Sequence, residues 1–150
     1  MHLAMLKRPL PGPRHFLAHH VGAALDHSPY SHSSLALSDG LSASAWADRG
    51  VGLAQVVYEP QCWDFWTLPG VDEASIRAAL QRLLGAPYDR LGVMRFGLSL
   101  LHEHPDRFFC HELIAHLFGW RDAWRYGPGL LVAGCIDRFG SELVPREAIV

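Results

Sequence analysis

The sequence predicts an α+β fold in which an antiparallel sheet packs against a helix. Alternating or β-branched and aromatic stretches fill much of residues 32–68, which is typical of strands. Apolar residues at helical intervals dominate from residue 72 onwards. A chain of 150 residues has the size of one domain, so we expect one core within a single domain over residues 1–150.

Composition narrows the class of protein. Hydrophobic residues make up 49% of the chain and charged residues 19%, with a formal net charge of -2, as in a compact globular protein. Because Lys and Arg are scattered, no nucleic-acid partner is predicted. The widely spaced Cys62, Cys110 and Cys135 suit a reducing compartment better than a disulfide framework. Residues 1–6 are too short for a signal sequence, and no run reaches the roughly 18 residues of a membrane span, so we expect a soluble, cytoplasmic protein.

The elements of the first half follow in order. Apolar residues at helical spacing predict a helix over residues 14–25, and turn-forming residues surround Pro29. SHSSLALS followed by the turn SDG predicts a β-hairpin with His32 at its start. Residues 51–59 and 62–68 are predicted to add two strands to the same antiparallel sheet.

The second half of the chain is predicted to be helical. Asp72 is a suitable N-cap for a helix that Gly85 ends. An apolar stretch over residues 91–101 predicts a second helix, and a third begins with Phe108-Phe109-Cys110 and ends near Gly119, which places Cys110 at a helix N-terminus. We assign no element beyond that helix.

Cys110 is the strongest candidate nucleophile. A cysteine reacts as its thiolate, and the first turn of a helix stabilises that anion through unpaired N–H groups and the helix dipole. Because its neighbours Phe108 and Phe109 are apolar, a buried structural cysteine is the alternative. Cys62 and Cys135 lie in apolar, strand-like runs and are predicted to pack in the core.

A thiol nucleophile needs a partner that titrates near neutral pH, and the chain has ten histidines. His32 stands out because it begins a predicted strand, where its side chain can face whatever packs over the sheet. A hydrogen-bonded structural histidine is the alternative for this residue.

The histidines around Cys110 raise the alternative of a metal site. HELIAH resembles a zinc-protease helix, but His111 and His116 are about 140° apart around a helix and cannot share one metal. His102 and His104 could join Cys110 only across an intervening proline. We therefore predict no metal and no cofactor.

Three stretches of the chain resemble a known family when they are taken together. They are PYSHSSLALSDG (29–40), GAPYDRLG (85–92) and RFFCHELIAHLFG (107–119). In that order they resemble the circularly permuted branch of the NlpC-type papain-like superfamily, which includes lecithin:retinol acyltransferase-like proteins. In this branch the histidine precedes the cysteine, as His32 precedes Cys110 here. The resemblance covers roughly residues 14–120.

The resemblance implies a permuted papain-like fold and a thiol hydrolase, namely an amidase, peptidase or esterase, with acyl transfer as a variant. It implies that Cys110 is the nucleophile, that His32 is its base and that Tyr88 lines the site. The implied substrates are small molecules, peptides or lipid-like acyl compounds, with cell-wall peptides and lipids as the main classes.

The chain departs from the family pattern at two places. His111 replaces the small residue that usually follows the nucleophile, where it could narrow the site or add a donor near the thiolate. The third residue, which orients the histidine, would have to be Ser44 or, less favourably, Ser42, with Glu112 as an alternative orienter or a structural acid. Because serine orients an imidazole weakly, a catalytically silent binding domain of the same fold is the alternative function. The oligomeric state is left open.

Overall fold

The computed structural model describes residues 1–8, 27–94 and 104–145. Within these ranges the chain forms one five-stranded antiparallel sheet and four α-helices, so the predicted α+β class is confirmed. The helix predicted over residues 14–25 lies outside the described residues, as does most of the helix predicted over residues 91–101.

The sheet has the strand order β4-β3-β2-β1-β5, and every neighbouring pair is antiparallel. The strands are β1 (His2–Leu6), β2 (His32–Ala36), β3 (Leu41–Trp46), β4 (Gly50–Gln55) and β5 (Trp63–Thr67). The hairpin predicted to start at His32 is confirmed as β2 and β3. The strands predicted over residues 51–59 and 62–68 are β4 and β5, which lie at opposite edges of the sheet.

The strand between β2 and β5 was not expected from the sequence pattern. Residues 2–6 form β1, in which Leu3, Ala4 and Met5 are fully buried. Both faces of β1 are covered, so its residues are apolar without alternation, and a short run of this kind does not distinguish strand from helix. Only its pairing with β2 and β5 identifies it.

Four α-helices follow the last strand of the sheet in the described residues. They are α1 (Glu73–Gln81), α2 (Arg90–Met94), α3 (Cys110–Leu117) and α4 (Pro128–Phe139), with a 3-10 helix at Ala123–Arg125. Asp72 caps α1 as predicted, because its carboxylate accepts the N–H groups of Ala74 and Ser75 at 3.2 and 3.0 Å. In the part of the chain that the structure describes, none of the helices combines the length and the apolar character needed to cross a membrane.

Helix α1 ends at Gln81, earlier than its sequence pattern predicts. Beyond it, the N–H of Gly85 donates to the carbonyl of Val51, and the N–H of Val51 donates to the carbonyl of Ala86, both at 2.9 Å. These bonds attach the segment to strand β4, so its backbone groups are satisfied by the sheet and not by another helical turn.

Buried apolar residues form one cluster on each face of the sheet. The larger cluster joins the sheet to α3 and includes Leu3, Met5, Leu35, Leu113 and Ile114. The smaller cluster lies on the opposite face and comprises Ala4, Leu6, Cys62, Trp63 and Phe65. Cys62 and Cys135 are both buried, which confirms their core positions. Cys135 lies in helix α4, however, and not in the strand-like element that its apolar neighbours suggested.

Candidate active site

Cys110 is the first residue of helix α3, as the sequence predicts. The preceding Phe109 is extended, with φ -93° and ψ 169°. Its N–H donates to the carboxylate of Glu112 at 3.3 Å, which closes the first helical turn. This contact of Glu112 is with the start of α3. It fits a structural role for Glu112, which was one of its two predicted roles beside that of orienting the histidine.

The 85–92 stretch is joined to the start of α3 by backbone hydrogen bonds. The N–H of Asp89 donates to the carbonyl of Phe108 at 3.0 Å, and the N–H of Phe108 donates to the carbonyl of Pro87 at 3.1 Å. These bonds hold Tyr88 beside the thiol of Cys110. Burial raises the pKa of Tyr88, and the charge and hydrogen bonding of Cys110 raise it further.

The thiol of Cys110 is only 3% exposed. Burial raises its pKa to about 11, although hydrogen bonds from Ser33 and from the backbone of Cys110 and His111 act in the opposite direction. Desolvation therefore outweighs the helix N-terminus, and the thiol is protonated at neutral pH.

His111 provides the imidazole closest to the sulfur. The Cys110 Sγ and the His111 Nδ1 are 3.4 Å apart, within hydrogen-bond distance for a thiol. Burial lowers the pKa of His111 to about 3, and the charge of nearby His32 lowers it further. His111 is thus a neutral imidazole that can accept the thiol proton, where the sequence suggested a steric or donor role.

His32 is held by Ser44. The His32 Nε2 lies 3.3 Å from the Ser44 Oγ, which donates its own proton to the carbonyl of Ser33 at 2.7 Å. Because the hydroxyl has one proton, it must accept the N–H of His32, which places the imidazole proton on Nε2 and leaves Nδ1 free. Burial lowers the pKa of His32 to about 4, so this ring is also neutral.

Of the two serines considered for orienting His32, the structure brings Ser44 to it. Ser42 instead bonds the hydroxyl of Tyr58 at 2.6 Å. The same Tyr58 hydroxyl lies 2.8 Å from the Oγ of Ser34. Ser42 therefore belongs to a separate hydroxyl cluster on the face of the sheet away from α3.

Cys110 and His32 lie on different sides of strand β2. Alternation along β2 directs Ser33 and Leu35 towards α3, while His32 packs edge-on against Trp63 with 6.1 Å between ring centroids. Among the described residues, no hydrogen bond joins Cys110 to His32. Their pairing as nucleophile and base stays a prediction.

The backbone of Ser33 connects the two halves of the site. It hydrogen bonds to the sulfur of Cys110, and its carbonyl accepts the proton of Ser44. Strands β2 and β3 pair only at Leu35–Ala43 and Ala36–Ser42. On the β3 side, the backbone of Ser33 therefore bonds to the side chains of Cys110 and Ser44 and not to a strand. The backbone of Ser33 thus contacts both the thiol of Cys110 and the hydroxyl of Ser44, which lie on different sides of β2.

Ser33 is the site residue that the sequence analysis missed. It is fully buried, and both its backbone and its side chain act to lower the pKa of Cys110, against the effect of burial. A serine at a core-facing position of a predicted strand was the available signal.

Two further features bear on ligands. An open groove of about 360 Å³ is lined by residues 82–87, Pro105, Asp106 and Phe108, and its lining includes neither Cys110 nor His32.

Within residues 1–8, 27–94 and 104–145, no group of three His, Cys, Asp or Glu side chains is placed to hold a metal ion. His102 lies outside the described residues, and His104 is exposed.

No protein-family model matches the sequence, and no curated protein is significantly similar to it. The resemblance to permuted papain-like proteins therefore rests on the three motifs and their order.

Proposed function

We propose that this chain is a thiol hydrolase that cleaves amide or ester bonds, with Cys110 as nucleophile and a neutral histidine as general base. The distance of 3.4 Å between the Cys110 Sγ and the His111 Nδ1, at the start of a helix, carries the proposal. A neutral thiol beside a neutral imidazole can transfer its proton as the sulfur attacks, so a resting thiolate is not required.

The reaction proceeds through an acyl-enzyme. The thiol proton moves to the imidazole while the sulfur bonds to the carbonyl carbon, and the backbone N–H groups at the start of α3 stabilise the oxyanion. Collapse of this intermediate breaks the bond to the amine or alcohol, which leaves with the proton from the imidazole. Water then attacks the thioester, its proton passes through the imidazole back to the sulfur, and the acid is released.

Two histidines are candidates for the general base, and a different observation supports each of them. His111 lies next to the sulfur, which makes it the first acceptor of the thiol proton. His32 is the base that the family resemblance implies, and its contact with Ser44 leaves its Nδ1 unprotonated. We propose that both imidazoles contribute, and the His111→Ala and His32→Ala variants rank them by their loss of acylation rate.

The substrate classes are those that the family resemblance implies, namely cell-wall peptides and lipid-like acyl compounds. An amine or alcohol that replaces water in the second step would turn the same site into an acyltransferase. Neither outcome requires a metal or a cofactor, because the proposed chemistry uses only the thiol, the imidazoles and backbone N–H groups.

A catalytically silent binding domain is the second candidate function. It is favoured by the burial of Cys110, which is 3% exposed and has its pKa raised to about 11. Such a thiol is typical of a structural cysteine, since a buried neutral sulfur is a poor nucleophile.

Trapping the acyl-enzyme tests the proposal against this alternative. The protein is incubated with activated acyl esters and with cell-wall peptides, quenched in acid and digested, and the acyl mass is located by peptide mass. We expect acylation at Cys110, its loss in Cys110→Ala, and its retention in the control Cys62→Ala, because Cys62 lies on the other face of the sheet. Absence of an acyl group on Cys110 with every substrate overturns the proposal and leaves the binding domain.

A further inference from the structure

Strand β4 is one edge of the sheet, and most of its outer side is open. The opposite edge, β5, is paired with residues 142–144, whose backbone bonds Thr67 and Phe65 at 2.9 and 2.8 Å. On the outer side of β4, the described residues place a backbone partner only at Val51, which bonds the segment 85–86 at 2.9 Å. An unpaired edge of this kind is a template for another strand.

The backbone groups of Leu53 and Gln55 point to this open side. Successive residues of an antiparallel strand direct their N–H and C=O groups to opposite sides, so Leu53 and Gln55 point outwards as Val51 does. Their side chains are exposed, and so is that of Val57, at 88%, whereas Val56 packs against the smaller apolar cluster. One exposed row of alternate residues therefore runs along the edge to residue 57.

The open stretch of the edge is short and uncharged. It is limited on one side by the segment 85–86 at Val51, and on the other by the turn at residues 60–62. The sequence has no Asp, Glu, Lys or Arg between residues 50 and 58. Edge strands are commonly protected by charges that oppose pairing with another chain, and residues 53–57 lack this protection.

We propose that β4 pairs antiparallel with β4 of a second copy of this chain, about a two-fold axis at Gln55. In this register Leu53 lies opposite Val57 of the second copy, and Gln55 lies opposite its own counterpart. Each exposed apolar side chain meets another apolar side chain, and the two amides of Gln55 can hydrogen bond to each other. The two five-stranded sheets then form one continuous sheet.

The charges that flank the open stretch favour a second copy over an unrelated peptide. Arg49 precedes the stretch and Glu59 follows it. Pairing about Gln55 brings Glu59 of one copy to the level of Val51 in the other, two positions from Arg49, so opposite charges approach at both ends. The residue on the axis is neutral, which avoids two like charges where the copies meet. The contact does not involve Cys110 or the proposed reaction.

Sedimentation equilibrium over a range of protein concentrations tests for the dimer. A contact confined to residues 53–57 is small for a protein interface, so we expect a dissociation constant on the order of 100 µM. Gln55→Lys should keep the protein monomeric, because it places two ammonium groups against each other at the axis. Gln81→Lys is the matched control, since Gln81 is also exposed but lies in α1, and it should dimerise as the wild type does.

Oxidative cross-linking with diamide tests the register. In Gln55→Cys the two new sulfurs lie opposite each other, with Cα atoms about 5.5 Å apart, which allows a disulfide. In Val57→Cys they are about 13 Å apart along the strands, so we expect no cross-link although Val57 is 88% exposed. The native Cys62, Cys110 and Cys135 are buried.

A wild-type protein that stays monomeric at every concentration overturns the inference and leaves the edge to an extended segment of another protein. Dimerisation that Gln55→Lys does not weaken also overturns it. Equal cross-linking of Gln55→Cys and Val57→Cys would show random collision without the proposed register, with the same consequence. These measurements use no substrate, so none of the outcomes bears on the proposed thiol chemistry.

Discussion

The Oγ of Ser44 lies 3.3 Å from the Nε2 of His32 and donates a hydrogen bond to the carbonyl of Ser33 at 2.7 Å. This geometry assigns the tautomer of the His32 imidazole from the number of hydrogen-bond donors alone, because Ser44 has a single proton to donate. The bond from Ser44 to the Ser33 carbonyl also takes the place of a backbone hydrogen bond between β2 and β3. It lies beside Cys110, where the two strands no longer pair.

Removal of the Ser44 hydroxyl should release the tautomer of His32. In Ser44→Ala, the carbonyl of Ser33 and the N–H of His32 lose a buried partner, which should lower the free energy of unfolding by about 1–3 kcal/mol. Nitrogen NMR of the imidazole should show protonation of Nε2 in the wild type and a mixture of tautomers in the variant. Ser42→Ala is the control, since Ser42 bonds Tyr58 and should leave the His32 signals unchanged.

The reactivity of Cys110 towards iodoacetamide should be low at neutral pH. A pKa of about 11 leaves so little thiolate at pH 7 that labelling should be at least a hundredfold slower, by order of magnitude, than that of an exposed thiol with its pKa near 8.5. The rate should climb continuously from pH 7 to pH 10. Fast labelling below pH 7 that His32→Ala abolishes would show instead that the resting site is a thiolate–imidazolium pair.

The protein should lose stability as the pH falls below 6.5, because packing around His111 and His32 favours their neutral forms. Their pKa values are lowered from 6.5 to about 4 and about 3, so the unfolded chain binds protons that the folded chain does not. Between pH 6 and about 4, each histidine should reduce the free energy of unfolding by about 1.4 kcal/mol per pH unit.

Urea unfolding at several pH values checks this slope. His111→Asn should remove roughly half of it, because one of the two proton-binding differences is lost. His116→Asn is the matched control, since His116 lies on the same helix but is exposed to solvent. A slope that is the same in the wild type and in His111→Asn would contradict the prediction.

Gly50 should tolerate no side chain. It has φ +76°, and a Cβ there would meet the carbonyl oxygen of Ala86 at 2.3 Å. Gly50→Ala should therefore displace the 85–92 stretch that holds Tyr88, and cost more than the roughly 1–2 kcal/mol of the positive φ alone. Gly40→Ala is the control, because Gly40 has φ +81° with no atom within 4 Å of a Cβ. Equal losses in thermal unfolding for the two variants would refute the steric argument.

Local sequence patterns were sufficient to predict the elements in which apolar and polar residues alternate or recur at regular intervals. The hairpin that begins at His32, the cap at Asp72 and the start of a helix at Cys110 are all found where the sequence predicts them. Each of these features depends on residues that are close to one another in the sequence. The central strand β1 was not predicted, since a short apolar run is compatible with either a strand or a helix until its partners are known.

The sequence by itself determined the α+β class, the helix start that carries Cys110 and the serine candidates for contact with His32, because these follow from side-chain periodicity and capping chemistry. Only the tertiary structure decided that Ser44 and not Ser42 contacts His32, that His111 lies against the thiol, and that Ser33 is buried beside it. Only the tertiary structure also reveals the burial that raises the pKa of the Cys110 thiol. The physical reason is that burial, which raises the pKa of Cys110 and lowers that of both histidines, is a property of the packed core and has no local signature in the chain.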